Sequence, residues 1–240
     1  MSLKKIAGMK DVCEIGDQSR PELFNLNIKK PDVLFTKVVE IDERVTIEDY
    51  DLNPYPKERP AQLDDPDLIQ TASGEIVRVL KGLDVEEARN ALRQLREEGY
   101  NSIAVCFMHS NIFPDHEKQV ISIAREEGFE FASASSDISP HIKILRRATS
   151  VCSEAYLYPI IRRYVDNFQS SFKILPRRVD FMCSDGGLRQ AQKFSGNEAL
   201  LSGPAGGVVG IARSCYDESE NTAIIGFDMV SIQCPVNFGC

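Results

Sequence analysis

Apolar and polar residues along this chain fall into blocks whose period changes from about two to nearly four and back. Residues 33–47, "VLFTKVVEIDERVTI", are rich in β-branched and aromatic side chains with partial alternation, which predicts one extended strand. Residues 48–75 hold four of the twelve prolines and many acids, the composition of an irregular acidic loop. Asp84 followed by Glu87 has the spacing of a capping box, and Val85, Ala88, Leu92 and Leu95 then recur at helical spacing. Gly99 supplies a left-handed stop. "NSIAVCFM", 101–108, is a nearly continuous apolar run, as a strand covered on both faces requires.

The unit then repeats. Asp115 reads as a cap, Val120, Ile121 and Ala124 as the buried stripe, Gly128 as the stop and "FEFASAS" as the strand, and "REEG" closes both helices. Helix, glycine and strand twice in succession predict parallel βα units in an α/β protein with a mixed sheet, where ligands bind beyond the carboxyl ends of strands. Ser139-Pro140 reads as the start of a helix over about 141–172, with Pro159 set to kink or divide it. After Pro176, "RRVDFMCSDGG" predicts a strand running into a Gly-Gly turn. "LLSGPAGGVVGIARSCYDE" predicts a glycine-rich loop opening a helix, and "TAIIGFDM" a last strand.

Composition narrows what such a chain does. Its 240 residues suffice for one large domain or two small ones, and 42% hydrophobic with 27% charged residues is the balance of a globular protein. A net charge of -8 argues against a general nucleic-acid binder, which needs a cationic surface to displace counterions. The pairs Arg146-Arg147, Arg162-Arg163 and Arg177-Arg178 read as solvated helix faces or ion-pair partners. Seven cysteines without a C-x-x-C pair make neither a zinc framework nor a disulfide scaffold, and fit a reducing, cytoplasmic setting. No segment approaches the roughly 18 apolar residues of a membrane span, so no membrane partner is expected.

Four places carry candidate chemistry. In "SGPAGGVVGIA", 202–212, Pro204 suits a first helical turn. Ser202, Gly203, Gly206 and Gly207 there expose backbone N–H groups either to an anion or to a closely packed neighbour. The segment lacks the lysine of a P-loop and the register of a dinucleotide fold. In "CSDGG", Ser184, Asp185, Gly186 and Gly187 place a hydroxyl, a carboxylate and two permissive glycines after a strand, as a ligand site or a tight turn would. His109 also follows a strand, seven residues before His116; a hydrogen-bonding loop histidine is favoured over a shared metal. Asp228, just after Gly226, stands at the tip of the last strand.

Taken together, "IGDQSRPELFNLNIKKPDVLF", "SIAVCFMHSNIFPDHEKQV", "SPHIKILRRATSVCSEAYLYPII", "DFMCSDGGL", "FSGNEALLSGPAGGVVGIA" and "IIGFDM" resemble the hydantoinase/oxoprolinase family, in its eukaryotic-type 5-oxoprolinase branch. Cys183 and Asp185 stand where the bacterial hydantoinase subunits are expected to carry Gln and Asn. The resemblance implies an actin-like (ribonuclease H-like) ATPase fold, with ATP and Mg2+ held between two glycine-rich phosphate loops. It also implies ATP-dependent opening of 5-oxoproline to glutamate, a reaction of glutathione turnover, through phosphorylation of the lactam carbonyl. It divides the chain into an N-terminal-type region over 1–175, the start of a hydantoinase A-type domain over 176–229, and an unrelated tail over 230–240.

The family's first loop, "FDRGGTFTD", has no counterpart before Ile15. Its second, "GFDMGGTSTDVSR", is represented only by Gly226, Phe227, Asp228 and Met229. The expectation is therefore a partial chain that is inactive alone and does not bind ATP and Mg2+ by itself, with Asp228 as a surviving loop residue and 184–187 and 202–207 lining the cleft. Two alternatives stay open. One is a non-catalytic piece acting in binding or assembly, as a homodimer or paired with a full-length subunit; the other is a hydantoinase-like subunit.

Overall fold

The computed structural model describes residues 2–6, 8–15, 32–48, 65–217, 219 and 222–227. Its first strands and helices are β1 (Ser2–Ile6), α1 (Val12–Ile15), β2 (Lys37–Ile41), β3 (Arg44–Ile47), β4 (Leu68–Gln70) and β5 (Ile76–Lys81). They are followed by α2 (Val85–Glu97), β6 (Ser102–Val105), α3 (Asp115–Glu126), β7 (Phe131–Ala134), α4 (Ser135–Ile138) and the long α5 (Ile144–Ser170). The last elements are β8 (Asp180–Met182), β9 (Leu188–Gln190), a 3-10 turn (Ala191–Lys193), α6 (Gly196–Ala199) and α7 (Ser202–Cys215). The chain divides into two compact units, Met1–Tyr156 and Leu157–Cys240, a division by packing where the sequence reading divided at 175 by resemblance.

The first unit is built around β6. All four of its residues are buried, because the strand is covered on both faces. Ile103 and Val105 face Ala88, Leu92 and Leu95 of α2 and Val120 and Ala124 of α3. Ala104, with Cys106 just past the strand, faces Ala148, Val151, Cys152 and Ala155 of α5. Small side chains on both surfaces of that second interface let the helix approach the sheet closely. The sheet runs β2-β1-β6-β7, and each of its pairings is parallel. The expected βα units are therefore present, and a second, antiparallel sheet, β3-β5-β4, accompanies them.

Asp84 caps α2 as expected, its Oδ1 accepting from the N–H groups of Glu86 and Glu87 at 2.9 and 3.0 Å, but the return bond from Glu87 that would complete a capping box is not formed; Ser195 and Glu198 make such a box at α6. Gly99 and Gly128 stop the two helices at φ +89° and +80°. Val85, expected on the buried stripe, is 43% exposed. Asp115 is the first residue of α3 rather than its cap, since Pro114 holds the cap position without a side-chain bond. In the second unit a β8–β9 hairpin packs Cys183 with Val165 of α5, Ala191 and Phe194, and Phe181 stacks on Phe194 at 5.1 Å.

Several expectations are corrected. Residues 33–47 form two strands in two sheets, broken at Asp42-Glu43, where Glu43 turns inward and is buried. The 48–75 segment contains β4, and β5 follows it; both pair antiparallel, which the acidic, proline-rich composition hid. The long helix begins at Ile144, not near Ser139, because Arg147 takes the carbonyls of His141 and Ile142 that an earlier helical turn would use. Pro159 lies inside this helix without ending it. The glycine-rich segment is no loop: Gly203, Gly206, Gly207 and Gly210 are all within α7. Residues 222–227 form no strand, since no neighbouring strand pairs with them among the described residues. Asp228, the tail from 230 and much of the acidic segment lie outside the described residues.

Candidate functional site

In the first unit, the carboxyl ends of β6 and β7 meet in a buried polar network. The chain leaves β6 through Phe107, whose N–H donates to Glu117 Oε1 at 2.8 Å and whose carbonyl accepts from Arg147 at 2.6 Å. Ser135, at the end of β7, donates to Glu117 Oε1 at 2.7 Å and lies 3.3 Å from Arg147 Nε. Ser136 adds its N–H and hydroxyl to Glu117 Oε2. Arg147 further donates to Asn111 Oδ1 and to the carbonyls of His141 and Ile142. One buried cation and one buried anion are thus satisfied through shared neighbours, as burial of charge requires.

This overturns the reading of Arg147 as a solvated helix face: it is 0% exposed. Glu117 was not singled out at all. A signal existed for both, since Glu117 is on the stripe with Val120 and Ala124, and Arg147 on the stripe with Val151 and Ala155. A charged residue on an apolar stripe marks a buried network or a site.

His109 sits just beyond this network. It is the one non-glycine residue with positive φ among the described residues, at 55°, and its carbonyl accepts from the N–H groups of Ile112 and Phe113. Burial, then the positive charges of Arg44 and Arg147, push its imidazole below the ordinary histidine range. That environment favours the neutral ring. His116 is committed elsewhere, its Nδ1 lying 2.8 Å from Glu43 Oε2 and its ring meeting Phe113 edge-on. Glu43 Oε1 is buried with no partner among the described residues. Among those residues no three His, Cys, Asp or Glu side chains gather as a metal ion would need. Cys106 is no nucleophile, because burial, then the Glu117 charge, push its thiol up to about 12.

The second unit assembles the other candidates. Cys183 and Gly187 close a tight turn, with Gly187 O accepting from Cys183 N at 2.8 Å and Cys183 O from Gly186 N at 2.9 Å. Gly186 holds φ +81°, and Asp185 Oδ1 accepts from Gly187 N at 2.8 Å. Ser184 Oγ is fully engaged: it donates to Glu198 O at 2.8 Å and Asn197 O at 3.1 Å, and accepts from Leu201 N at 2.9 Å. The turn is thereby tied to the start of α7, whose first residue, Ser202, donates to Ala199 O at 2.9 Å.

Glycines facing α7, rather than those within it, permit close packing: a Cβ on Gly186 would come 3.2 Å from Val209 and one on Gly226 would lie 2.3 Å from Ile211, whereas one on Gly206 would meet Met182 at an ordinary 3.8 Å. Gly207 and Gly226 help line an apolar groove of ≈ 340 Å³ with Pro204, Val208, Ile211 and Tyr216. The structure therefore brings 184–187, 202–207 and Gly226 together around α7, and the helix begins without a side-chain cap. His109 belongs to the other unit.

Comparison with known proteins places this geometry. The hydantoinase/oxoprolinase N-terminal region matches residues 1–128, and the hydantoinase/oxoprolinase domain matches 147–231. A 5-oxoprolinase of Pestalotiopsis fici, PfmaA, is 64% identical over 92% of this chain, and the 5-oxoprolinase of Saccharomyces cerevisiae is 48% identical over 92%. The chain spans 17% of the length of each of these relatives. Among solved structures, the ATP-dependent caprolactamase of Pseudomonas jessenii gives a TM-score of 0.62 at 19% identity, over 88% of this chain and 28% of its own. Nucleotide-free acetone carboxylase gives 0.59 at 19% identity over the same shares. These last two likenesses bear on the fold alone.

Proposed function

The chain belongs to the hydantoinase/oxoprolinase family, and on that premise we propose that it is a segment of an ATP-dependent 5-oxoprolinase, converting 5-oxo-L-proline, ATP and water to L-glutamate, ADP and phosphate. The observation that carries this reading is 64% identity, across nearly the whole chain, to a protein that bears that name. Cys183 and Asp185 in "MCSDGGL" support it over a hydantoinase-like subunit.

We read the mixed α/β fold as part of an actin-like ATPase and the protein as cytoplasmic. In that reading Ser184, Asp185, Gly186 and Gly187, with Ser202, Gly203, Gly206 and Gly207, line one wall of a nucleotide cleft, and Gly226 and Asp228 begin a phosphate loop. Two features support the wall. The 184–187 turn is tied through Ser184, and the missing side chain of Gly186 lets Val209 of α7 lie close against it. Phosphoryl transfer depends mainly on such positioning.

The chain spans 17% of the length of its 5-oxoprolinase relatives, so a site for Mg2+ and ATP is read as drawing on the rest of the enzyme as well. The cofactors are therefore proposed for the whole enzyme, and no step is assigned to them here. A polypeptide of these 240 residues alone is expected to be inactive, since Asp228-Met229 is followed by Val230-Ser231 and not by Gly-Gly-Thr. Pairing with a second copy or a full-length subunit would be a further part of the same reading.

The test is 5-oxoproline-dependent phosphate release. The isolated polypeptide should release none. Residues 15–229 set into the matching positions of the Saccharomyces enzyme, which then supplies the sequence on either side, should support turnover; a folded chimaera without activity would overturn the reading.

A further inference from the structure

Helix α5 runs unbroken from Ile144 to Ser170, yet it carries Pro159 in its interior. The boundary between the two compact units falls between Tyr156 and Leu157, in the same helical turn. Proline has no N–H, so the carbonyl four residues earlier loses its helical donor, and the ring crowds that carbonyl. Here the freed carbonyl is that of Ala155. It is not left unpaired: Ser102 Oγ, from the first residue of β6, donates to it at 2.7 Å in a buried setting.

The packing of the helix changes at this turn. On its N-terminal side Ala148, Val151, Cys152 and Ala155 are buried in the first unit's core. The next buried residue is Val165, in the core of the second unit. From 156 to 164 no residue is buried. From 156 to 160 the helix joins neither core, Ile161 is the first residue to pack against the second, and one helical bond of this stretch is absent.

We propose that residues 155–159 form a hinge within α5, at which helical bonds open while both flanking parts stay closed, and that Ser102 is the latch that holds it shut. A helical stretch with few buried contacts is where local opening costs least, and a proline removes one bond at a defined position. The Ser102 bond pins the Ala155 carbonyl to β6, so opening at this turn has to break it. Hinges of this kind serve closure around ligands in many proteins. The inference rests on α5 and β6 alone and stands apart from the proposed reaction.

Hydrogen exchange followed by mass spectrometry on the whole protein tests it, with peptides covering 144–154, 155–164 and 165–170. The middle peptide should exchange faster than both flanks, on the order of tenfold. Ser102→Ala should speed it further, on the order of fivefold, while 144–154 is unchanged. Pro159→Ala returns an N–H to Ala155 O, so it should slow the middle peptide and remove its sensitivity to Ser102→Ala. Uniform exchange along α5 would overturn the hinge. So would a Ser102→Ala effect spread evenly across the first unit, or a Pro159→Ala variant as fast as the parent.

Discussion

Replacing Arg147 by Met should unfold the first unit far more readily than any change at its neighbour Arg146. Arg147 makes five hydrogen bonds from a fully buried guanidinium, three of them to the main-chain carbonyls of Phe107, His141 and Ile142. Methionine fills the volume but removes this donor from the His141 and Ile142 carbonyls, leaves Phe107 O with Ser110 Oγ alone, and leaves Glu117 as a buried anion without the cation of its network. Breaking a buried charge pair from one side costs about 3–5 kcal/mol. Arg146 is exposed, and surface changes of its kind stay within about 0.5 kcal/mol.

The two units need separate readouts, and the cysteines supply them. Cys106 is buried in the first unit and Cys183 in the second. Pulsed thiol labelling across a urea gradient, located by mass spectrometry, gives a midpoint for each. With a slope on the order of 2 kcal/mol per molar urea, Arg147→Met should lower the Cys106 midpoint by about 1.5–2.5 M. Arg146→Ala should move it by less than about 0.3 M. The Cys183 midpoint should move less than that of Cys106. If Arg147→Met and Arg146→Ala shift the Cys106 midpoint alike, the buried network is not what holds the end of β6.

Other outcomes follow from the same contacts. The Cys106 thiol is pushed from 9.0 to about 12 in the folded chain, so its contribution is fully present below pH 9 and is lost as pH rises toward 12. Stability of the first unit should fall through that window by about 1.4 kcal/mol per pH unit, and Cys106→Ala should flatten the slope. Ser184→Ala removes an acceptor for Leu201 N and the one O–H donor shared by Glu198 O and Asn197 O; urea unfolding read at Cys183 should show a loss of about 1–3 kcal/mol. Gly186→Ala places a Cβ at φ +81° and 3.2 Å from Val209, and should cost at least about 1 kcal/mol by the same readout.

Local pattern made much of the fold legible. The capping aspartate at 84, the helical stripes of α2 and α3, the glycine stops and the doubly buried β6 all follow from period and turn chemistry, which act within a few residues. What failed depended on partners distant in sequence. Residues 33–47 look like one strand until Glu43 turns inward to His116 and hands the chain to a second sheet. The glycines at 206 and 207 suit a phosphate loop equally well in sequence, and only the backbone hydrogen bonding of α7 shows them inside a helix. For the candidate site, the 184–187 turn was legible, because Asp and Gly specify it locally. The buried Glu117 and Arg147 were not, since average composition assigns charge to the surface and only the facing helix reveals the exception.

The central claim is that this segment belongs to a 5-oxoprolinase, and substrate-dependent turnover tests it most directly. Residues 15–229 are placed in the matching positions of the Saccharomyces 5-oxoprolinase, which supplies the flanking sequence, and phosphate release by the folded chimaera is measured with 5-oxoproline and with caprolactam. The account predicts release that depends on 5-oxoproline, exceeds that with caprolactam, and is lost in Asp228→Ala. A folded chimaera that releases no phosphate with 5-oxoproline, or that prefers caprolactam, would contradict it.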